Sequence, residues 1–89
     1  MNKALGIETR KKRMRIRAWR RGTKELDLIL GSYVNLFVNN FTEDELALME
    51  ALLDEEDDDI YSWVSGRIEG PKKYQIALES IKEKNYKFS

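Results

Sequence analysis

Residues 23–41 read TKELDLILGSYVNLFVNNF, and their apolar side chains recur at intervals of three to four positions. This spacing places them on one face of a helix, so we expect the stretch to form the main core helix. Thr23 is suited to cap its beginning, and Glu25 lies in the first turn, where the helix dipole favours an acid. Gly31 costs about 1 kcal/mol relative to alanine, which predicts a bend or a closely packed neighbour. The apolar positions are Leu26, Ile29, Leu30, Tyr33, Val34, Phe37 and Phe41.

The residues before this helix predict a second, strongly basic one. We expect helical structure over residues 10–21, ended by Gly22. Met14 and Ala18, with Trp19 as a further candidate, provide its inward-facing positions, and its high charge makes it dependent on packing against the rest of the chain. Residues 1–9 show no helical periodicity, so we expect a flexible N-terminal tail there.

The residues after the core helix predict three further short helices. Asn39–Asn40 mark a turn, and Thr42 with Glu45 forms a capping box at the beginning of the next helix. One of Asp57 or Asp58 is suited to cap the helix after that. The apolar positions of these helices are Leu46, Met49, Leu52 and Leu53, then Ile60, Trp63 and Val64, then Tyr74, Ala77, Leu78 and Ile81, with Pro71 at the first position of the last helix.

The length of 89 residues allows one modest core but no deep substrate cavity beside it. No stretch predicts a β-strand, so the expected fold class is all-α, a compact single-domain bundle of four to five short helices. We expect this domain to occupy residues 10–85, with the short tails 1–9 and 86–89 on either side.

The composition argues for a binding protein rather than an enzyme. The sequence contains no cysteine and no histidine, which excludes disulfides, thiol nucleophiles, Cys/His zinc sites and imidazole acid–base chemistry. Charged residues make up 36% of the chain, and no apolar run approaches the ~20 residues of a membrane span. The N-terminus shows no secretory signal. We therefore expect a soluble, non-catalytic module without a membrane partner.

The charges cancel overall but are segregated along the chain. Residues 10–24 carry nine bases and no acid, whereas residues 43–59 carry ten acids and no base. The basic segment is compatible with two functions, which are nucleic-acid binding with Trp19 as a stacking aromatic, and docking on an acidic protein. The acidic run 54–59 lacks the internal glycine and terminal glutamate of a calcium loop, so we expect a solvated helix junction and no metal site there.

Residues 20–25, Arg-Arg-Gly-Thr-Lys-Glu, form the corner between the first two predicted helices. Gly22 allows the backbone to approach another surface closely because no Cβ stands in the way. Arg21 offers a planar fork of donors suited to a carboxylate or a phosphate. The alternative is an ordinary helix–helix corner with a C-cap glycine and solvated charges.

The sequence resembles the succinate dehydrogenase assembly factors that promote flavinylation. Residues 21–25 match the Arg-Gly-x-x-Glu signature of that family, and residues 20–31 resemble its first-to-second helix segment almost throughout. Leu-Leu at 52–53 followed by an acidic turn, and Asp-Ile-Tyr-Ser-Trp at 59–63, resemble its second hallmark. The resemblance covers roughly residues 10–82, in the helix order of a compact five-helix domain.

The resemblance implies a specific role. Members of this family bind the flavoprotein subunit of succinate dehydrogenase, and in some cases that of fumarate reductase, and help it attach FAD covalently. FAD then belongs to the client protein, and this chain binds no cofactor stably. The implied partner-binding residues are Arg21, Gly22 and Glu25, extended by Arg17 and Arg20, with Asp59 and Trp63 from the second hallmark.

The resemblance also bears on the alternatives. It favours a chaperone role over a small helical nucleic-acid-binding regulator that uses residues 10–24. Glu25 supports this preference, since a DNA-binding helix gains little from a carboxylate at its centre of contact. We further expect a monomer in the bacterial cytoplasm, or in the mitochondrial matrix if the source is eukaryotic.

Overall fold

The part of the chain that the structure describes contains five α-helices. The computed structural model describes residues 3–84, with side chains from residue 6 onward. No β-strand occurs within these residues, so the prediction of an all-α bundle is confirmed. The helices are α1 Lys3–Ala18, α2 Lys24–Phe37, α3 Glu43–Leu53, α4 Asp57–Val64 and α5 Gln75–Lys84, with 3-10 turns at Val38–Asn40 and Lys72–Tyr74.

Helix α1 begins earlier than the sequence pattern predicts. The expected beginning near Arg10 is wrong, because the helix already starts at Lys3. Ile7, one of the residues assigned to the tail, packs against the core and lies two turns before the fully buried Met14. This contact gives the first turns of α1 the tertiary support that their sequence alone does not reveal. The flexibility of residues 1–9 stays a prediction, and the predicted tail 86–89 lies outside the described residues.

Helix α1 also ends earlier than expected, at Ala18 rather than at Arg21. The helical conformation ends before Trp19, and the indole ring of Trp19 lies against Gly31 of α2. A Cβ on Gly31 would fall well inside van der Waals contact with the indole carbons. The close neighbour predicted at Gly31 is therefore Trp19, whose ring covers the backbone that the glycine leaves bare.

Helix α2 runs through the core as predicted. Leu26, Leu30 and Val34 are fully buried along its inner face. Thr23 caps it by accepting a hydrogen bond from the Leu26 amide, which confirms the predicted cap. The helix ends at Phe37, and the turn predicted at Asn39–Asn40 is confirmed as part of a 3-10 turn. The 3-10 turn that follows buries Val38 and brings the Phe41 ring to within 6.2 Å of the Tyr33 ring.

Helices α3 and α4 follow the acidic half of the chain. The capping box of α3 is confirmed, since Thr42 accepts from the Glu45 amide and Glu45 accepts from the Thr42 amide. The predicted cap of α4 by Asp57 or Asp58 is wrong. Glu56 occupies the N-cap position without a side-chain cap, and the Asp57 carboxylate is bound elsewhere.

Helix α5 closes the bundle, held by two tyrosine hydroxyls. The Tyr74 hydroxyl donates to Glu55 at 2.6 Å and lies 3.2 Å from the Ala51 carbonyl of α3. Burial, together with the hydrogen bond to Glu55, raises the pKa of Tyr74 to about 12. Tyr33 of α2 reaches Ser80 of α5 at 2.8 Å. Pro71 precedes the 3-10 turn at Lys72–Tyr74 and does not begin α5 itself. None of the helices within residues 3–84 has the length and apolar character needed to cross a bilayer.

Candidate functional site

The corner segment, residues 20–25, joins α1 to α2 and has a fixed backbone. Because α1 ends at Ala18, residues 20–23 form an irregular link before α2 begins at Lys24. The amide of Arg21 donates to the Asp27 carboxylate in the first turn of α2, at 2.6 Å. This bond and the Thr23 cap hold both sides of the glycine, so the segment is ordered before any partner arrives.

Arg21 lies mostly inside the molecule, with only 9% of its side chain exposed. Its Nε and Nη2 atoms lie 2.9 Å and 2.7 Å from Oδ1 of Asp57. Nη2 also donates to the Leu53 carbonyl at the end of α3, at 2.9 Å. The guanidinium fork is therefore used within the chain, where it fastens the corner segment to the junction of α3 and α4.

Gly22 lies directly over the same carboxylate. Its amide donates to Oδ2 of Asp57 at 2.6 Å, and a Cβ at this position would lie 2.9 Å from that oxygen. The close approach predicted for the glycine thus occurs, but to a side chain of the same molecule. The outer side of Gly22 is exposed. Asp57 binds Arg21 with one oxygen and Gly22 with the other, so a single carboxylate positions both residues.

Glu25 stands at the other end of the corner segment and is exposed. Its carboxylate accepts a hydrogen bond of 2.5 Å from the Tyr61 hydroxyl. This hydrogen bond raises the pKa of the Tyr61 hydroxyl above its ordinary value. Asp57 and Tyr61 are four residues apart on α4 and share one face. One turn of α4 therefore supports both ends of the Arg-Gly-x-x-Glu motif.

The remaining predicted site residues separate into different environments. Arg17 forms an ion pair with Asp54, whereas Arg20 is exposed and pairs with no described residue. Asp59 is exposed, and its position on α4 differs by about 200° from that of Asp57. Trp63 is 9% exposed and belongs to the core, with its ring centroid 5.9 Å from that of Tyr74. The structure thus joins Arg21, Gly22 and Glu25 through α4 but leaves Asp59 and Trp63 outside this arrangement.

Two residues of the site were not predicted from the sequence, namely Asp57 as the clamp and Tyr61 as the partner of Glu25. Asp57 or Asp58 was expected to cap α4, and Tyr61 entered the analysis of the sequence only as part of the second hallmark at 59–63. Their i, i+4 spacing was a signal that both face the same way. Nothing in the sequence said that this shared face meets the corner segment, because the contacts span 35 and 36 positions.

The basic and acidic halves of the chain meet in the folded molecule. Arg10 binds Glu50 at 2.6 Å, Arg17 binds Asp54, and Arg21 binds Asp57. These three pairs run along the line where α1 and the corner segment pass the ends of α3 and α4. Three of the nine bases in residues 10–24, the segment that suggested nucleic-acid binding, are therefore paired with acids of the same chain.

Comparisons with known proteins show which family the chain is similar to. A family model described as "Flavinator of succinate dehydrogenase" matches residues 12–85. The mitochondrial succinate dehydrogenase assembly factor 2-B of Drosophila mojavensis is 34% identical over 77 residues, which cover 84% of this chain and 49% of that protein. The mitochondrial succinate dehydrogenase assembly factor 2 of Dictyostelium discoideum is 31% identical over 77 residues, covering 86% and 55%. The FAD assembly factor SdhE of Acetobacter pasteurianus is 33% identical over 67 residues, covering 75% and 62%.

The family match extends over most of the chain and confirms the resemblance found in the sequence. The chain belongs to the succinate dehydrogenase flavinator family. It spans about half to three fifths of the length of the curated relatives described above.

Proposed function

We propose that this chain is an assembly factor that binds the flavoprotein subunit of succinate dehydrogenase and promotes its covalent attachment of FAD. Membership of the flavinator family supports this role, as do the relatives named as succinate dehydrogenase and FAD assembly factors. The structural observation that carries the proposal is the corner segment fixed on α4, with its outer surface exposed. Such a segment loses little conformational freedom when it docks.

The residues of the motif have different tasks in this proposal. Glu25, Gly22 and Arg20 are exposed and make the contacts with the flavoprotein. Arg21 is a positioning residue, because its guanidinium is occupied by Asp57 and the Leu53 carbonyl. Replacing it weakens docking by releasing the corner segment.

The chain acts by shifting a conformational equilibrium of its client. A partner that binds the attachment-competent arrangement of the flavoprotein more tightly than the open one raises the reactive fraction by the ratio of the two affinities. The bond-forming chemistry then belongs to the flavoprotein and its FAD, and the chain itself is not an enzyme. The compartment is the one that holds the client, either the bacterial cytoplasm or the mitochondrial matrix.

The covalent flavin content of the client tests the proposal in cells. Cells lacking this chain should show reduced in-gel flavin fluorescence of the flavoprotein, and the wild-type chain should restore it. Glu25→Ala should not restore it, whereas the matched control Glu79→Ala, an exposed acid on α5, should. Unchanged fluorescence in the deletion would contradict this client, and the same assay on fumarate reductase would follow.

A further inference from the structure

A second exposed surface lies on the other side of the corner segment from Glu25. Arg15, Ile16, Trp19, Arg20 and Asn35 line an open depression between the end of α1 and the middle of α2. Ile16 is 56% exposed and Trp19 is 38% exposed. Two of the residues that line the depression are apolar, two are arginines, and none is acidic.

Trp19 packs against α2 in this surface. Its ring lies on the bare backbone of Gly31, in the middle of α2. A glycine inside a helix costs about 1 kcal/mol relative to alanine. Leu28, one turn before Gly31 on α2, is 44% exposed and extends the apolar area beyond the ring. The Trp19 ring is partly exposed, and its position depends on the glycine in the middle of α2. It is therefore a preorganised anchor, and anchors of this kind dominate the binding energy at protein interfaces.

The bases around this surface differ from those on the opposite side of α1. Arg10, Arg17 and Arg21 are all paired with acids of α3, of α4 or of the link between them. Lys12, Arg13 and Arg20 are exposed and pair with no residue that the structure describes. Lys12 and Arg13 precede Ile16 by one helical turn and Arg20 follows it by four positions, so these unpaired bases surround it.

We propose that this Trp19 face, comprising Lys12, Arg13, Ile16, Trp19, Arg20 and Leu28, is a second contact surface for the client flavoprotein. It takes a segment of the client that presents apolar side chains flanked by carboxylates. The inference rests on the proposed function, and Arg20 makes the face continuous with the corner segment. A protein is favoured over a nucleic acid because Ile16 and Leu28 offer a phosphate backbone neither charge nor a stacking plane.

A pair of matched substitutions tests the face. Ile16→Asp places an acid in its centre, and Ile76→Asp makes the same change at an isoleucine on α5 that is 81% exposed. Binding of each purified variant to the purified flavoprotein subunit is measured by titration calorimetry, with thermal melts to compare their folding. We expect Ile16→Asp to weaken binding about tenfold or more, and Ile76→Asp to leave it unchanged. Equal affinities of the two folded variants would overturn the proposal.

A charge reversal separates the face from the proposed function itself. Lys12→Glu should weaken client binding, whereas Lys72→Glu, at an exposed lysine before α5, should not. If Glu25→Ala weakens binding and neither Ile16→Asp nor Lys12→Glu does, the second face is wrong and the proposed function stands. If the wild-type chain does not bind the flavoprotein, the proposed function fails. Tight binding of a DNA duplex that Lys12→Glu abolishes, with client binding unaffected, would overturn the choice of occupant.

Discussion

Asp57 holds the corner segment at two points, so its loss should loosen that segment. Its two carboxylate oxygens accept from the Arg21 guanidinium and from the Gly22 amide, and both groups would lose these partners in Asp57→Ala. Arg21 would then keep only the Leu53 carbonyl for a side chain that is 9% exposed. A guanidinium held inside the molecule without its counter-ion is costly, so we expect the folded state to be destabilised.

The size of the effect follows from the exposure of the pair. Removing one partner of a fully buried ion pair costs about 3–5 kcal/mol, and a hydrogen bond to a charged group contributes about 1.5–3 kcal/mol. The Asp57 side chain is 32% exposed, so solvent screens part of this interaction. We therefore expect a loss of about 2 kcal/mol in the free energy of unfolding. For a domain of this size, that loss lowers Tm by roughly 8–16 °C.

Urea denaturation followed by circular dichroism measures this loss, with Asp58→Ala as the matched control. Asp58 is also in the first turn of α4 and therefore interacts with the same helix dipole, but it is exposed and pairs with no described residue. We expect Asp58→Ala to cost about 0.5 kcal/mol or less. Equal destabilisation by the two substitutions would refute the claim that Asp57 clamps the corner segment.

Three further substitutions test other contacts of the fold and the site. Gly31→Ala should displace the indole ring of Trp19 and lower the urea midpoint, at a cost of about 1–3 kcal/mol. The control Gly6→Ala, at a glycine with open space around it, should raise the urea midpoint. A higher urea midpoint in both variants would contradict the packing described. Folding raises the pKa of Tyr74 from about 10 to about 12. The protonated Tyr74 hydroxyl therefore contributes fully to the stability of the fold below pH 10, and this contribution is lost as the pH rises towards 12. Wild type should accordingly lose more stability between pH 9 and pH 11 than Tyr74→Phe, and equal losses would refute this assignment. Tyr61→Phe should weaken client binding severalfold without unfolding the chain, and should have little further effect in a Glu25→Ala background; additive effects would mean that the two side chains act independently.

Local patterns in the sequence predicted much of this fold because they reflect local physics. The three-to-four spacing around Leu30 gave the core helix, and the Thr42–Glu45 capping box gave the beginning of α3. The ends of α1 were not predicted, because they depend on tertiary contacts. Ile7 supports the early turns of the helix by packing on the core, and Trp19 leaves the helix to cover Gly31.

The candidate site was predicted in part, and the missing part is again long-range. The resemblance to the flavinator family directed attention to Arg21, Gly22 and Glu25, and the structure brings these residues together on α4. The resemblance could not show that the Arg21 side chain is largely buried, because a five-residue motif carries no information on the burial of its side chains. The roles of Asp57 and Tyr61 at the corner segment were not predicted, because each residue contacts a partner more than 30 positions away along the chain.

Reconstitution of flavinylation from purified components tests the central claim most directly. The apo-flavoprotein subunit of succinate dehydrogenase is mixed with FAD, with and without this chain, and acid-stable protein-bound flavin is followed over time. We predict that the wild-type chain and Glu79→Ala accelerate the appearance of covalent flavin equally, and that Glu25→Ala does so much less. A rate that is the same with and without the wild-type chain would contradict the account.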